Sequence, residues 1–272
     1  ARNLADGVYL LRFVFLGTSE PVPLALCSGN PPVVSNGDFD GNGRTDRLCS
    51  VSGATYVSLS TGTGFLNGVS WLGRYIQKPI VADFDGDGRG DVGEDVPSTG
   101  AFSVALSTGT AFGTWTQWGI AGAGGVTCSG TGPEAAAADM NGDGRADVTC
   151  KKQDVTSVFV GLSTGTGFVF SNFGETFCGA GERTGTLDMD GDGKSDWFCL
   201  APASDFMLVY RSTGSVLQAA VSAADASFCD DAKYVMGDWN GDGRTDLSCL
   251  DNGKVRLSTG NAWLDQGSYQ GW

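Results

Sequence analysis

The sequence predicts an all-β chain, a β-propeller of four-stranded antiparallel blades. Three observations predict it: a nine-residue acidic loop occurs five times in 272 residues, a Ser-Thr-Gly-type turn follows each loop, and no segment shows a helical apolar period. The first aspartates of successive loops lie 45, 56, 49 and 50 residues apart. Four short strands at such a period mark a propeller blade. Glycine is abundant, at 43 residues, as many tight turns require.

The loops read DFDGNGRTD (38–46), DFDGDGRGD (83–91), DMNGDGRAD (139–147), DMDGDGKSD (188–196) and DWNGDGRTD (238–246). Oxygen side chains at positions 1, 3, 5 and 9, with glycines at 4 and 6, suit a hard cation such as calcium, which takes about six to eight oxygen ligands. The candidate ligands are Asp38, Asp40, Asn42 and Asp46 with the backbone carbonyl of Arg44, and Asp83, Asp85, Asp87 and Asp91 with that of Arg89. The third loop offers Asp139, Asn141, Asp143 and Asp147 with the carbonyl of Arg145. The fourth offers Asp188, Asp190, Asp192 and Asp196 with that of Lys194, and the fifth Asp238, Asn240, Asp242 and Asp246 with that of Arg244. An EF-hand is excluded, because that loop needs a bidentate Glu at position 12. Here position 9 runs directly into apolar residues such as Trp197-Phe198 or Leu247, so a strand follows.

Charge points the same way. The loops hold more than half of the 31 acidic residues of a chain whose net charge is −14. About five calcium ions would cancel ten of those charges. Without metal, the carboxylates of one loop repel each other and oppose folding.

Between loops comes a second shared signal: VSLSTGTGF (57–65), VALSTGTAF (104–112), VGLSTGTGF (160–168), VYRSTGSVL (209–217) and VRLSTGNAW (255–263). A short β pattern, a turn and an opening apolar residue describe a hairpin. One repeat therefore parses as strand, acidic loop, strand, short turn, strand, Ser-Thr-Gly turn, strand. The repeats fall at about 27–73, 74–120, 121–174, 175–220 and 221–272, as one domain. Residues 1–26 hold a predicted strand at 8–16 and too little chain for a full blade. Five blades with an added N-terminal strand are expected; six, one of them partial, is the alternative.

The loop and hairpin together resemble FG-GAP/VCBS-type repeats over about residues 27–272. That family's fold is a β-propeller, in which the calcium loop joins the first two strands of each blade. Integrin α-subunit heads, some fungal lectins and many bacterial surface proteins carry such repeats. The LSTGTGF wording is most similar to repeats of Rhs and insecticidal toxin-complex proteins. The resemblance implies fold and metal but no toxic activity, since no toxin domain is visible.

The eight cysteines follow the repeat. Cys49, Cys150, Cys199 and Cys249 each lie eleven residues after the first Asp of their loop, and Cys27, Cys128, Cys178 and Cys229 nine to eleven before it. The second repeat lacks both, with Glu94 at the later position. Presence or absence in pairs predicts the disulfides 27–49, 128–150, 178–199 and 229–249. Each closes a loop of about twenty residues and contributes about 3 kcal/mol in the chain-entropy model. Disulfides imply an oxidising compartment, secreted or at the cell surface. No CxxC and no histidine is present for zinc. No signal peptide or apolar span is visible, and the start at Ala1 leads to the expectation of a processed or excised piece. Strong acidity excludes nucleic acid and anionic membranes as partners.

Other motifs weigh less. Arg89-Gly90-Asp91 spells RGD, but its aspartate is position 9 of a loop. The basic residue at position 7 recurs in every loop; it offsets excess carboxylate more readily than it forms an anion-binding ring. Trp71, Trp115, Trp118, Phe170, Phe173 and Trp263 follow the Ser-Thr-Gly turns. Exposed tryptophans stack on sugars, and Trp115 with Trp118 is the candidate ligand pair. The absence of histidine removes Ser-His and Cys-His nucleophiles. The acids outside the loops, such as Glu94, Glu134, Glu175 and Asp205, form no diagnostic catalytic pair. The expected function is a non-catalytic interaction or structural scaffold, with protein or glycan partners or self-assembly. A calcium-dependent lectin is the alternative, and a hydrolase with a carboxylate pair a distant one.

Overall fold

The structure is a computed structural model. It describes residues 33–51, 53–96, 99–120, 135–151, 157–176, 178, 183–201, 206–218, 221–224, 228–229, 234–250 and 252–268. The strand expected at 8–16, the stretch 121–134, and Cys27 and Cys128 lie outside these residues.

The described residues form five four-stranded sheets and no helix. The first holds β1 (Val33–Gly37), β2 (Asp46–Val51), β3 (Ala54–Ser58) and β4 (Val69–Leu72); the second β5 (Ile80–Ala82), β6 (Asp91–Val96), β7 (Ala101–Ala105) and β8 (Thr116–Ile120). The third holds β9 (Ala136–Ala138), β10 (Asp147–Lys151), β11 (Ser157–Ser163) and β12 (Phe168–Glu175). The fourth holds β13 (Arg183–Leu187), β14 (Asp196–Ala201), β15 (Phe206–Tyr210) and β16 (Val221–Ala224); the fifth β17 (Tyr234–Gly237), β18 (Asp246–Cys249), β19 (Lys254–Ser258) and β20 (Trp263–Ser268). In each sheet consecutive strands are neighbours, so every sheet is a meander. This is the order that the sequence predicts. The chain forms two compact units. One contains the first two sheets and residues 163–169; the other contains the remainder of 135–268.

Each acidic loop joins the first two strands of its sheet, and its mouth is closed by one pairing. The residue before position 1 faces position 9: Gly37 with Asp46, Ala82 with Asp91, Ala138 with Asp147, Leu187 with Asp196 and Gly237 with Asp246. Central strands are buried on both faces, as all five residues of β7 show. Fourth strands are more exposed where described, and in β8 only Trp118 is buried.

Position 2 of the loop is the core anchor. Phe39, Phe84, Met140 and Met189 are fully buried. Phe39 meets Trp71 and Phe112 edge-on, at ring-centroid distances of 6.3 and 5.6 Å. Phe84 meets Phe102 and Phe168 in the same way, at 6.1 and 5.6 Å. Such pairs add about 0.5–1.5 kcal/mol beyond area burial. Trp239, at position 2 of the fifth loop, is instead 49% exposed.

Disulfides join Cys178 to Cys199 and Cys229 to Cys249, with Cα atoms 5.6 and 5.4 Å apart. Cys49 and Cys150 are also disulfide-bonded. In the second sheet the corresponding place is filled by an ion pair. Arg74 lies nine residues before Asp83 and Glu94 eleven after it, the same offsets that Cys229 and Cys249 have from Asp238. The Arg74 guanidinium donates to Glu94 at 3.2 Å, and the amides of Gln77 and Lys78 donate to its other carboxylate oxygen at 2.7 and 3.4 Å. Hydrogen bonds thus hold the entering segment where the other repeats use sulfur.

Candidate metal centre

The sequence of the loop dictates its wrap. Asp38 at position 1 accepts the amides of Gly41 and Asn42 on Oδ1, at 2.9 and 3.1 Å, and that of Gly43 on Oδ2, at 2.7 Å. Asp40 and Asn42 each accept the amide two residues on, the Asx-turn geometry of short polar side chains. The glycines at positions 4 and 6 have positive φ, 74° and 81° in the first loop. Side chains rarely adopt that backbone, which is why these positions are glycine in all five copies.

Position 9 is the most buried ligand candidate. Asp46, Asp91, Asp147, Asp196 and Asp246 are at most 1% exposed. Their Oδ2 accepts the amide of position 2 at 2.9–3.0 Å in every loop. Their Oδ1 accepts the amide of the serine in the Ser-Thr-Gly turn, for Ser60, Ser107, Ser212 and Ser258, at 2.7–2.8 Å. The turn that the sequence marks only as a hairpin is therefore part of the site. The shared Ser is the signal that could have shown it.

Three loops bring positions 1, 3 and 9 together as carboxylates: Asp38, Asp40 and Asp46; Asp83, Asp85 and Asp91; Asp188, Asp190 and Asp196. In each group, one oxygen per residue lies within 4.8 Å of the others. Two oxygens on one calcium ion lie at most twice the ligand distance apart, about 4.6–5.2 Å, so this set fits one ion. The donor set is all oxygen, as a hard divalent cation requires. In the third and fifth loops Asn141 and Asn240 replace the position-3 carboxylate, and their Oδ1 accepts the position-5 amide.

Position 5 is placed differently from the other acids. Asp87, Asp143, Asp192 and Asp242 pair with the basic residue at position 7 of their own loop, Arg89, Arg145, Lys194 and Arg244. The acid–base pair is 2.5 Å for Lys194 and 2.6 Å for Arg244. Arg44, Arg89 and Arg244 also donate Nε–H to the carbonyl of the turn serine at 3.0–3.1 Å. These basic side chains are thus engaged in offsetting carboxylate and bracing the turn.

Burial, and then the crowding of acids, show in the protonation of these groups. Burial first, then the neighbouring Asp85 and Asp83 carboxylates, push Asp91 up to about 8 against the pull of two amides. The same causes push Asp196 to about 7 and Asp188 to about 6, and raise Asp46 and Asp246. A divalent cation is the partner that would let such a group ionise together.

Other sequence candidates fall outside the site. Asp91 of the RGD tripeptide is fully buried and hydrogen-bonded through both oxygens, which removes it as an adhesion ligand. The tryptophan pair needs correction. Trp118 is 9% exposed and packs on Phe84 and Phe168, with ring centroids at 6.3 and 5.2 Å. It is the one buried residue of β8. Trp115 is half-buried, with the Arg74 guanidinium 4.1 Å from its ring centre.

Residues 188–249 match the family model of the FG-GAP-like repeat. No curated protein matches the chain in sequence. Among solved structures, the chain is similar to a lectin of Agrocybe aegerita that recognises non-reducing terminal N-acetylglucosamine. The TM-score is 0.65 at 21% identity, over 89% of this chain and 68% of the lectin. It is also similar to a chain of the Photorhabdus luminescens Tc holotoxin pore, with TM-score 0.58 at 18% identity, over 85% of this chain. It spans only 12% of that toxin chain. These likenesses show a propeller-like fold. The matched segment, 188–249, runs from the fourth acidic loop through its turn into the fifth, and similar loops and turns recur along the rest of the sequence, so an FG-GAP-like repeat is matched over that segment of the chain.

Proposed function

We propose that this chain is a calcium-stabilised, disulfide-braced propeller module of five blades, secreted or at a cell surface, that serves as a non-catalytic interaction or structural scaffold. The observation that carries the reading is the acidic loop repeated five times, three copies of which gather buried and half-buried carboxylates within the reach of one ion. The proposed ligands are the side chains at positions 1, 3 and 9, with position 5 and the position-7 carbonyl completing the shell. Bound calcium supplies charge neutralisation and pins the loop between the first two strands. The chain's own amides hold the position-1 and position-9 carboxylates in place beforehand. Disulfides support an oxidising compartment. No helix among the described residues is long and apolar enough to cross a membrane.

A lectin is the second reading, favoured by the fold likeness to the Agrocybe lectin. The burial of Trp118 weighs against the sugar-stacking pair that would serve it. A glycan array that includes terminal N-acetylglucosamine, run in millimolar calcium with an EGTA control, separates the two. The scaffold reading expects a blank array and a chelator-sensitive melting temperature. Selective, calcium-dependent glycan binding would make the protein a lectin, and an unchanged melt in EGTA would remove calcium from either reading.

A further inference from the structure

The serine of each Ser-Thr-Gly turn stands between two loops. Ser258 gives its amide to Asp246 Oδ1 in its own sheet, at 2.7 Å, and its hydroxyl to the carbonyl of Met189 in the preceding loop, at 2.6 Å. Met189 in turn gives its amide to Asp196 Oδ2 at 3.0 Å. Asp196 Oδ1 accepts the amide of Ser212 at 2.8 Å, and the Ser212 hydroxyl donates to the carbonyl of Met140 at 2.6 Å. The Met140 amide then donates to Asp147 Oδ2 at 2.9 Å. Hydrogen bonds linked through the position-2 residues and the turn serines thus join the position-9 carboxylates of three successive loops.

The other unit repeats the line: Asp91 to the Ser107 amide at 2.7 Å, the Ser107 hydroxyl to the Phe39 carbonyl at 2.6 Å, and the Phe39 amide to Asp46 at 2.9 Å. A second link runs beside it. The position-8 amides of Gly90, Ser195 and Thr245 each donate to the position-1 carbonyl of the preceding loop, Asp38, Asp139 and Asp188, at 2.6 Å. The three serines are at most 4% exposed, so water does not compete for these bonds.

Each link passes through a single residue whose two polar groups are fixed relative to each other, and burial keeps the bonds strong and protected from water. A carboxylate fixed by a cation holds its position-2 peptide more firmly. The carbonyl of the same residue, one peptide unit on, holds the serine hydroxyl, and the serine amide orients the next carboxylate. Resting on the calcium reading above, we propose that Ser107, Ser212 and Ser258 couple cation binding between neighbouring loops, so that the loops of one unit fill cooperatively. They are positioning residues, since none of them is among the proposed ligands.

The test is a calcium titration of the chelator-stripped full chain, followed loop by loop through the backbone amide NMR signals of Gly191 and Gly241. In Asp246→Asn the fifth loop should fall silent, and the midpoint of the fourth should rise about five-fold or more, the lower end of ordinary coupling. By reciprocity, Asp196→Asn should shift the fifth loop by the same factor. Ser258→Ala should leave the fifth loop able to bind while the fourth titrates at the higher midpoint, and Ser258→Thr, which keeps the hydroxyl, should restore it. Ser107→Ala, read at Gly41 and Gly86, repeats the test in the other unit should Ser258→Ala not fold. A fourth-loop midpoint that is equal in wild type, Asp246→Asn and Ser258→Ala overturns the coupling while calcium binding stands. Amide signals that ignore calcium in the wild type overturn the metal reading, and the coupling with it.

Discussion

Glu94 shows how one side chain takes over a covalent task. Its carboxylate gathers two amides and the Arg74 guanidinium at the place where the other repeats have cysteine. Glu94→Ala leaves those amides without their acceptor and is expected to destabilise β5–β8 by about 1–3 kcal/mol, with hydrogen exchange of β6 as the check. The equivalence of offsets also predicts that Arg74→Cys with Glu94→Cys forms a further disulfide on air oxidation, detectable by mass spectrometry. At Asp91, burial holds the folded-state pKa near 8, above the unfolded value of about 3.9. A raised acid stabilises the metal-free fold below the unfolded value and loses that contribution as pH rises through about 8. Asp83, Asp85 and the Asp87–Arg89 pair are the charged groups around it. The chelated protein should therefore melt lower at pH 8 than at pH 5. Calcium needs the ionised form, so the gap between loaded and chelated melting temperatures should be widest at pH 8.

At the scale of the loop and its strands, the sequence was legible because each strand is bounded by residues of special conformation. Asp-x-Asp-Gly motifs and Ser-Thr-Gly turns mark both ends of the hairpins, and the meander order followed. The contacts between loops were not legible, since they depend on which residues face each other across sheets. Gly191 is an example. It has φ 75°, and a side chain there would meet Cγ of Arg244, from the next loop, at 3.0 Å. Gly191→Ala is expected to cost about 1–3 kcal/mol, measured by chemical denaturation, and to perturb the fifth loop as well as its own. Gly193 has φ 80° with open space around it, so Gly193→Ala carries only the backbone penalty. The exposed or buried fate of Trp115 and Trp118 was likewise hidden, because alternation along a strand does not say which face meets another sheet.

For the whole molecule, two kinds of brace act in parallel, sulfur and acidic loops. Reduction with dithiothreitol in the presence of calcium should lower hydrogen-exchange protection in the sheets of Cys178–Cys199 and Cys229–Cys249. The sheet β5–β8 has no cysteine, so its protection should hold. Equal loss in all sheets would show instead that the braces act on the molecule as a unit. The cysteine offsets made the two described pairings readable in advance, because both members follow the repeat. The Arg74–Glu94 substitute was only half readable: a glutamate at a cysteine's position is visible in sequence, but its amide partners appear only when the chain is folded.

Trp239 brings an optical consequence. Its counterparts at position 2 are sealed, whereas its indole is half open to water while its amide is tied to Asp246 at 3.0 Å. It is the most exposed of the described tryptophans. Its emission should therefore contribute at the long-wavelength side of the protein's fluorescence, and that contribution should respond when the fifth loop changes state. The fold thus carries its own dye beside one loop, readable in a cuvette without any label.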